Sequence, residues 1–482
     1  MKKSFFILYI FLALNIPACQ VPQKRSVRGA EDYPYDKISF NTRQARRDID
    51  KFLYDRTASN GLVASFMNTA TCAFSMETGR FHDCVYGKMG YLDEQAFIYD
   101  LALAVIGFLL NGHKKNAEII MDALEDEFYL SKNASYGLYN SYLITSGIPI
   151  EDLHLGIDGN RVHAGPTLWV AIAALNHMKL VRNTRYLPFA LDIVSWCRNE
   201  LTYYRFPDGE RGAVSMGLGW GPEWSKIFST EHNVDYFIVL QMLRDIYDSS
   251  GEDVHKVFLN KNITKDFLED EMEHIGRWLS EVVFNKEKYC FMAGVNQYGI
   301  DDLRILDGTS WGLGGIGPEN LEKWGIDLEK LITYTEQRFM ASYTLPSGMI
   351  IYGFDFTDTD GYEGSRYPLV WFEGTGQLII AYKELAKYYA RKGDFEKEKM
   401  YTHKAFRYLE YMYAFTEFYD LGGGLPYMSI RPGKKQIVKT LKWEWEIPRG
   451  KDETTWVCAL SSTMWYLYCL HDFYNPMKWS MD

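Results

Sequence analysis

Two kinds of apolar pattern alternate along this chain. The first is apolar around most of its circumference and polar only at its start, as in "STEHNVDYFIVLQML" from Ser229 to Leu243. A surface helix carries a polar stripe along its whole length, so this pattern predicts a buried helix whose first turn opens onto something wet. The same pattern recurs in "DEQAFIYDLALAVIGFLLNG" from Asp93 and "HAGPTLWVAIAALNHMKLV" from His163. It returns in "LDGTSWGLGGIG" from Leu306, "VWFEGTGQLIIAYKELAKYYA" from Val370 and "DETTWVCALSSTMWYLYCLHDF" from Asp452. The second kind is amphipathic and charged. Its members begin at Thr42, Lys114, Arg185, Lys265, Leu328 and Glu396.

Six segments of each kind alternate strictly, and the buried kind starts every 64 to 82 residues. That period is longer than the 20–50 residues of common solenoid repeats. Buried helices ringed by half-buried ones predict an all-α (α/α)6 toroid: six α-hairpins, an inner and an outer ring, and long aromatic loops at one mouth. Gly and Pro punctuate the joints, as in "GIPIED", "FPDGERG" and "GGGLPY". Residues 36–482 therefore read as one domain. The glycines at 308, 312, 314, 315 and 317 make the fourth inner segment either a loop or a close helix approach.

In such a ring the inner helices all point one way, so their N-termini meet at one mouth. The predicted rim carries Asp93, Glu94, His163, Glu231, Asp307, Glu373, Asp452 and Glu453. Acids also favour helix N-termini through the helix dipole, by about 0.3–1 kcal/mol, and Ser229, Thr230 or Asp452 serve equally well as caps. Glu231 and Glu373 stand apart from that explanation, because "STEHNVD" and "WFEGTGQ" embed them among hydrogen-bonding and aromatic groups. The dipole lowers a carboxyl pKa, so a general acid at this rim must be raised by burial or by a neighbouring acid. Loops before the rim supply Trp220, Trp224, Trp371, Trp443 and Trp445 as stacking platforms or as packing.

Composition narrows the chemistry. The 482 residues include 13 Trp, 35 Tyr and 28 Phe, an excess suited to core packing and to stacking on sugar rings. The net charge of −11 becomes −13 once Lys2 and Lys3 leave with a signal, and without a basic run a nucleic-acid role is disfavoured. Lys2, Lys3 and the apolar run Phe5–Leu14 read as a secretory signal spanning residues 1–18. Ile16-Pro17-Ala18 before Cys19 is similar to a bacterial lipobox. That likeness implies acylation of Cys19 and a tether over residues 19–35, leaving a lipid-anchored protein of the cell envelope. Cys72 and Cys84 are placed for a disulfide in an oxidising compartment. Cys197, Cys290, Cys458 and Cys469 read as small core residues, and with no CxxC, HExxH or EF-hand pattern no metal and no cofactor is expected.

The signal, the six hairpins and the motifs "STEHN", "WFEGTGQ" and "YDLALAVIGFLL" together resemble the six-hairpin (α/α)6 glycosidase superfamily over most of residues 40–475. The resemblance implies a carbohydrate-active enzyme, commonly an inverting glycoside hydrolase, with carboxylates at the inner-helix mouth. Glu231 is then the general acid and Glu373 the base, with the reverse assignment open. Asp100 or Asp235 would bind sugar, although "YDLAL" has Leu101 where the similar pattern "YDQAL" has Gln. His232, Asn233 and Gln377 would meet sugar hydroxyls. Glu94, His163, Asp307, Asp452 and the tryptophans at 220, 224, 371 and 445 complete the expected binding set. The expected partner is a poly- or oligosaccharide, taken by a monomer.

Two other readings stay open. A polysaccharide lyase would remove a proton α to a uronate carboxyl, using His163 or Tyr298, and would neutralise that carboxyl with Asn296 or with Arg161, Arg304, Arg366 or Arg449. A glycan-binding lipoprotein would keep the fold without the chemistry.

Overall fold

The computed structural model describes residues 40–68, 74–75, 80–81, 95–131, 137–144, 146–147, 149, 162–218, 224–358, 367–430, 437–439, 444–446 and 456–479. These belong to one compact unit, Asp36–Asp482. Its helices in chain order are α1 (Thr42–Tyr54), α2 (Ile98–Leu110), α3 (Lys114–Ser131), α4 (Ala164–Val181) and α5 (Leu187–Glu200). There follow α6 (Thr230–Ser249), α7 (Glu252–Asn260), α8 (Lys265–Trp278), α9 (Asp307–Trp311) and α10 (Pro318–Lys323). The last four are α11 (Leu328–Arg338), α12 (Phe372–Arg391), α13 (Phe395–Tyr419) and α14 (Leu460–Leu470).

The inner ring is α2, α4, α6, α9, α12 and α14. Each packs on the next, and α14 packs back on α2, which closes it. The outer helices α3, α5, α8, α11 and α13 cover the five inner helices before α14. The sixth cover is α1, which comes from the other end of the described chain and packs on α14. This division explains the two sequence patterns. In α2 every residue from Asp100 to Leu109 is buried, because neighbours surround it on all sides. In α1 only Ala45, Ile49, Phe52 and Leu53 are buried, a single stripe at helical spacing.

Two predicted starts move. The helices α2 and α14 begin at Ile98 and Leu460 rather than at Asp93 and Asp452, because extended segments precede them. Gln95–Phe97 pairs with Ser141–Leu143, and Val457–Ala459 pairs with Phe66–Asn68. The other inner helices enter the same way: Val162–His163 pairs with Gly217–Leu218, and Phe228–Ser229 with Gly294–Val295. Single bridges join Ile305 to Thr357 and Trp371 to Met428. In all six cases the entry segment bonds to the stretch that precedes the next inner helix. This circular lacing holds the six N-termini around one rim.

The fourth inner helix is one α-turn, Asp307–Trp311, continued by a π-turn, Gly312–Ile316. Its glycines mark close approach rather than a loop. A Cβ on Gly315 would stand 2.2 Å from Ile238 of α6, and one on Gly308 would stand 2.7 Å from Phe291.

At the far end of the barrel the C-terminal segment lies across the helix ends. Asn475 Nδ2 donates to Gly314 O (2.8 Å), Asn176 Nδ2 to Pro476 O (2.8 Å), and Lys179 Nζ to Lys478 O (2.9 Å). Met477 is fully buried there, against Gly314 and Gly315. Cys197, Cys290, Cys458 and Cys469 are buried free thiols, while Cys72 and Cys84 lie outside the described residues. No helix among the described residues is long and apolar enough to cross a membrane.

Replacing Met477 by Ala removes most of this plug's apolar contact. Urea denaturation should show a loss of about 2–5 kcal/mol, the usual cost of a buried Met→Ala change, with the opposite mouth undisturbed.

Candidate active site

All six inner helices contribute their first turns to one cavity of about 330 Å³. Asp100 comes from α2, Gly165, Pro166 and Trp169 from α4, and Glu231 and Asp235 from α6. Asp307 and Trp311 come from α9, Glu373 from α12 and Ser461 from α14. Phe66, Phe97, Phe356, Trp371 and Tyr427, from the entry segments and neighbouring loops, add aromatic wall. Beneath the acids Trp169 packs against Trp311, Trp465 and Tyr99, with ring centroids 5.6, 5.8 and 5.3 Å apart. Five carboxyl groups thus share a hollow walled by aromatic rings, and no Lys, Arg or His is among its described lining residues.

The two acids expected to do chemistry are held differently. Glu373 Oε1 accepts from Tyr99 Oη (2.7 Å) and from Gln377 Nε2 (3.4 Å), and Ser461 donates to the same carboxylate. Tyr99 is itself fixed by Trp465 Nε1 at 2.9 Å, and Gln377 by Ser310 Oγ at 3.0 Å. Glu231 receives no side-chain hydrogen bond from the described residues. Burial pushes Glu231 up to about 7, with the charge of Glu373 adding to it. Burial also raises Glu373 to about 7, against its three hydrogen bonds, which favour the charged form.

The other three acids are raised as well, first by burial. Asp100 reaches about 8, held down by Ser65 and pushed up by Glu373. Asp235 lies well above its usual range, helped by Glu231, while the bond from Trp169 Nε1 (2.9 Å) opposes the shift. Asp307 is likewise well above it, repelled by Glu231, Glu373 and Asp235. One oxygen each of Asp235 and Asp307 is buried without a hydrogen-bond partner among the described residues, as are the indole nitrogens of Trp311 and Trp371. Among the described residues no group of three or more His, Cys, Asp or Glu is arranged to hold a metal ion.

Several residues expected at the sugar stand behind the wall instead. Asn233 spends its amide on Val214 N, Val214 O and Ser229 O, which ties α6 to the strand Arg211–Val214. The His232 ring bonds Met216 O at 3.1 Å, and burial with His163 nearby lowers it to about 3, so it is neutral. His163 packs edge-on against Trp224 and His232, at centroid distances of 4.9 and 5.9 Å, and neither it nor Trp224 lines the cavity. Gln377 steadies Glu373 from its own helix rather than facing sugar. Ser229 does cap α6, accepting from His232 N.

The lyase set does not converge. Tyr298 is 84% exposed on a hairpin, and Asn296 accepts from its backbone N–H. Arg304 is paired with Asp358 at 2.9 Å. Glu94, Arg161, Trp220, Arg366, Trp443, Arg449, Asp452 and Glu453 lie outside the described residues, as does the side chain of Trp445.

Tyr99 and Trp169, which orient Glu373 and Asp235, were not anticipated. Tyr99 sits in the quoted "YDLAL" and was overshadowed by Asp100. Trp169 lies inside a wholly apolar stretch and gives no signal of its own.

Comparison with solved structures places the architecture. A cellobiose 2-epimerase from Bacillus thermoamylovorans superposes with a TM-score of 0.55 and 13% identity, over 89% of this chain and 99% of that one. A family-76 α-mannanase of Bacteroides thetaiotaomicron gives 0.51 and 9%, over 90% and 96%. A family-76 glycoside hydrolase from a bovine strain of the same species gives 0.50 and 11%, over 90% and 78%. No protein-family model matches the sequence, and no curated protein matches it. The chain has the (α/α)6 toroid fold of these structures, with an acidic, aromatic-walled bowl at the inner-helix N-termini.

Acids with raised folded pKa values keep protons that the unfolded chain has lost. Stability is then greatest below the unfolded values near pH 4 and declines as pH rises through about 7 for Glu231 and Glu373 and about 8 for Asp100. The melting temperature should fall between pH 5 and 8. Asp100→Asn, which cannot ionise, should exceed wild type by on the order of 1–3 kcal/mol at pH 8 and match it near pH 4.

Proposed function

We propose that this protein is a carbohydrate-active enzyme, an inverting glycoside hydrolase acting on poly- or oligosaccharide. The observation that carries this reading is the unequal pair in one buried cavity. Glu373 has three donors supporting its carboxylate, and Glu231 has none among the described residues. The pair therefore separates into a base that favours ionisation and an acid that favours its proton. The α-mannanase and glycoside hydrolase that share the fold support a glycan substrate.

In this mechanism Glu231 donates its proton to the glycosidic oxygen as the bond to the anomeric carbon breaks, and the bonding pair leaves with that oxygen. Glu373 accepts a proton from water, and the water oxygen attacks the anomeric carbon from the opposite face. Water is thereby divided between the two products, and each carboxyl returns to its starting state after proton exchange with solvent. Because both groups titrate near 7, kcat/KM should follow a bell centred near neutral pH.

A uronate carboxyl would meet five acids in this cavity, with no Lys, Arg or His among the described lining residues, which disfavours the lyase substrate. The lipobox-like run before Cys19 supports a lipid anchor in the cell envelope.

Glu231→Gln should reduce hydrolysis of unactivated glycans by about 10²–10⁴-fold while sparing aryl glycosides, whose leaving group needs no proton. Glu373→Gln should lose both activities and regain turnover with azide. NMR of the first-formed anomer should show inversion. Retention, full activity of both variants, or an unsaturated product absorbing in the ultraviolet would reject the assignment. Cys19→Ala should move the protein from the membrane fraction to the soluble one.

A further inference from the structure

The chain is acidic, but not evenly. Residues 19–56 carry nine Lys and Arg against six Asp and Glu, while residues 57–482 carry 41 against 57. Four of those nine cations lie on α1, at Arg43, Arg46, Arg47 and Lys51. The helix buries Ala45, Ile49, Phe52 and Leu53 against the barrel. At about 100° per residue, the face opposite that stripe carries Arg43, Arg47, Lys51 and Tyr54, and all four are exposed.

The acids of α1 are engaged, and its cations are not. Asp48 Oδ1 accepts from Gln44 Nε2 (2.7 Å), and Asp50 meets Asn111 Nδ2 and His113 Nε2, both at 3.0 Å. Asp55, at the C-cap, sits beside Arg56. Arg47 donates to Gln44 Oε1 (2.8 Å), and among the described residues no ion pair reaches Arg43, Arg46, Arg47 or Lys51. Both ends of the helix are pinned. Phe40 stacks on Tyr413 of α13 at 3.8 Å, and Tyr54 Oη lies 2.9 Å from His113 Nδ1. The exposed Lys114 and Lys115 follow that histidine, with Lys114 3.5 Å from Glu118. The stripe is therefore a fixed ridge across α14, not a loose arm. The described chain begins at Phe40, 21 residues after Cys19, and a chain of that length spans at most about 75 Å.

Resting on the lipid anchor proposed above, and not on the glycosidase chemistry, we infer that the outer face of α1 docks on the anionic phospholipid headgroups of the membrane that holds Cys19. Lys114 and Lys115 extend the contact. Exposed Lys and Arg are attracted to such a surface within a Debye length, about 8–10 Å, and an anchor that already keeps the chain there lets a few charges suffice. The acidic remainder of the domain is repelled by the same surface, so the uneven charge orients the domain. Because α1 belongs to the outer ring, the docked barrel lies on its flank and its mouth opens along the membrane.

Vesicle sedimentation tests this with the mature chain, residues 19–482, carrying Cys19→Ala so that no acyl chain contributes. At low salt it should bind phosphatidylcholine vesicles containing about one-third phosphatidylglycerol, at least tenfold more weakly at about 0.5 M NaCl, and should not bind phosphatidylcholine alone. Arg43→Glu, Arg47→Glu and Lys51→Glu together should weaken binding at least tenfold. Lys286→Glu, Lys288→Glu and Lys323→Glu, an equal charge change at exposed positions elsewhere, should stay within about threefold. Glutamine at 43, 47 and 51 should give a smaller loss in the same direction, with the melting temperature unchanged. Equal losses in the two glutamate triples, equal binding to neutral vesicles, or tighter binding to heparin than to vesicles would overturn the docking, as would no binding at all. Cys19→Ala left in the membrane fraction of cells at high salt would overturn the anchor, and this inference with it.

Discussion

Carboxyl groups taken out of water and set close together resist ionising, and this constraint governs the cavity. The helix dipole pulls the other way, since acids at N-termini gain about 0.3–1 kcal/mol in the charged form. Each pKa unit corresponds to about 1.36 kcal/mol, so a carboxyl moved from 4.5 to about 7, as for Glu231, has felt burial and repulsion outweigh the dipole. Local hydrogen bonds then decide which acid yields first. Tyr99, Gln377 and Ser461 surround Glu373, and nothing comparable reaches Glu231 among the described residues. Two glutamates at equivalent helix positions thereby become unequal.

The ring creates the constraint. Inner helices that run parallel bring six N-termini to one rim, and the laced entry segments hold them level. The other end of the barrel is covered by Asn475, Met477 and Lys478, bonded to α4 and to the π-turn after α9. The cavity is thus approached from the mouth. The aromatic wall does two jobs there. Its rings exclude water from the acids, and the indole of Trp169 holds Asp235 through its N–H.

The ring of helices was legible because burial on all sides leaves a pattern nothing else imitates: a wholly apolar helix with a polar first turn. Glu231, Asp235, Asp307, Glu373, Asp100 and Trp371 do share one cavity. The errors have a common cause. Polar residues beside an acidic rim residue look alike in sequence whether they face the hollow or the next strand, and Asn233 and His232 bond the backbone at Val214 and Met216. The helix starts at Asp93 and Asp452 were placed early because three-residue entry strands are too short to show a period of two. Trp169 was invisible, since an indole in an apolar helix reads as packing until its N–H is seen against Asp235.

The most direct test of the account is a carboxyl ¹³C NMR titration of protein labelled in glutamate, with signals assigned by their loss in Glu231→Gln and Glu373→Gln. Two glutamates should titrate near pH 7, and the midpoint of Glu231 should fall when Glu373 is replaced. If both instead titrate near 4.5, each indifferent to the other, the acids do not share a dry cavity and the account is wrong.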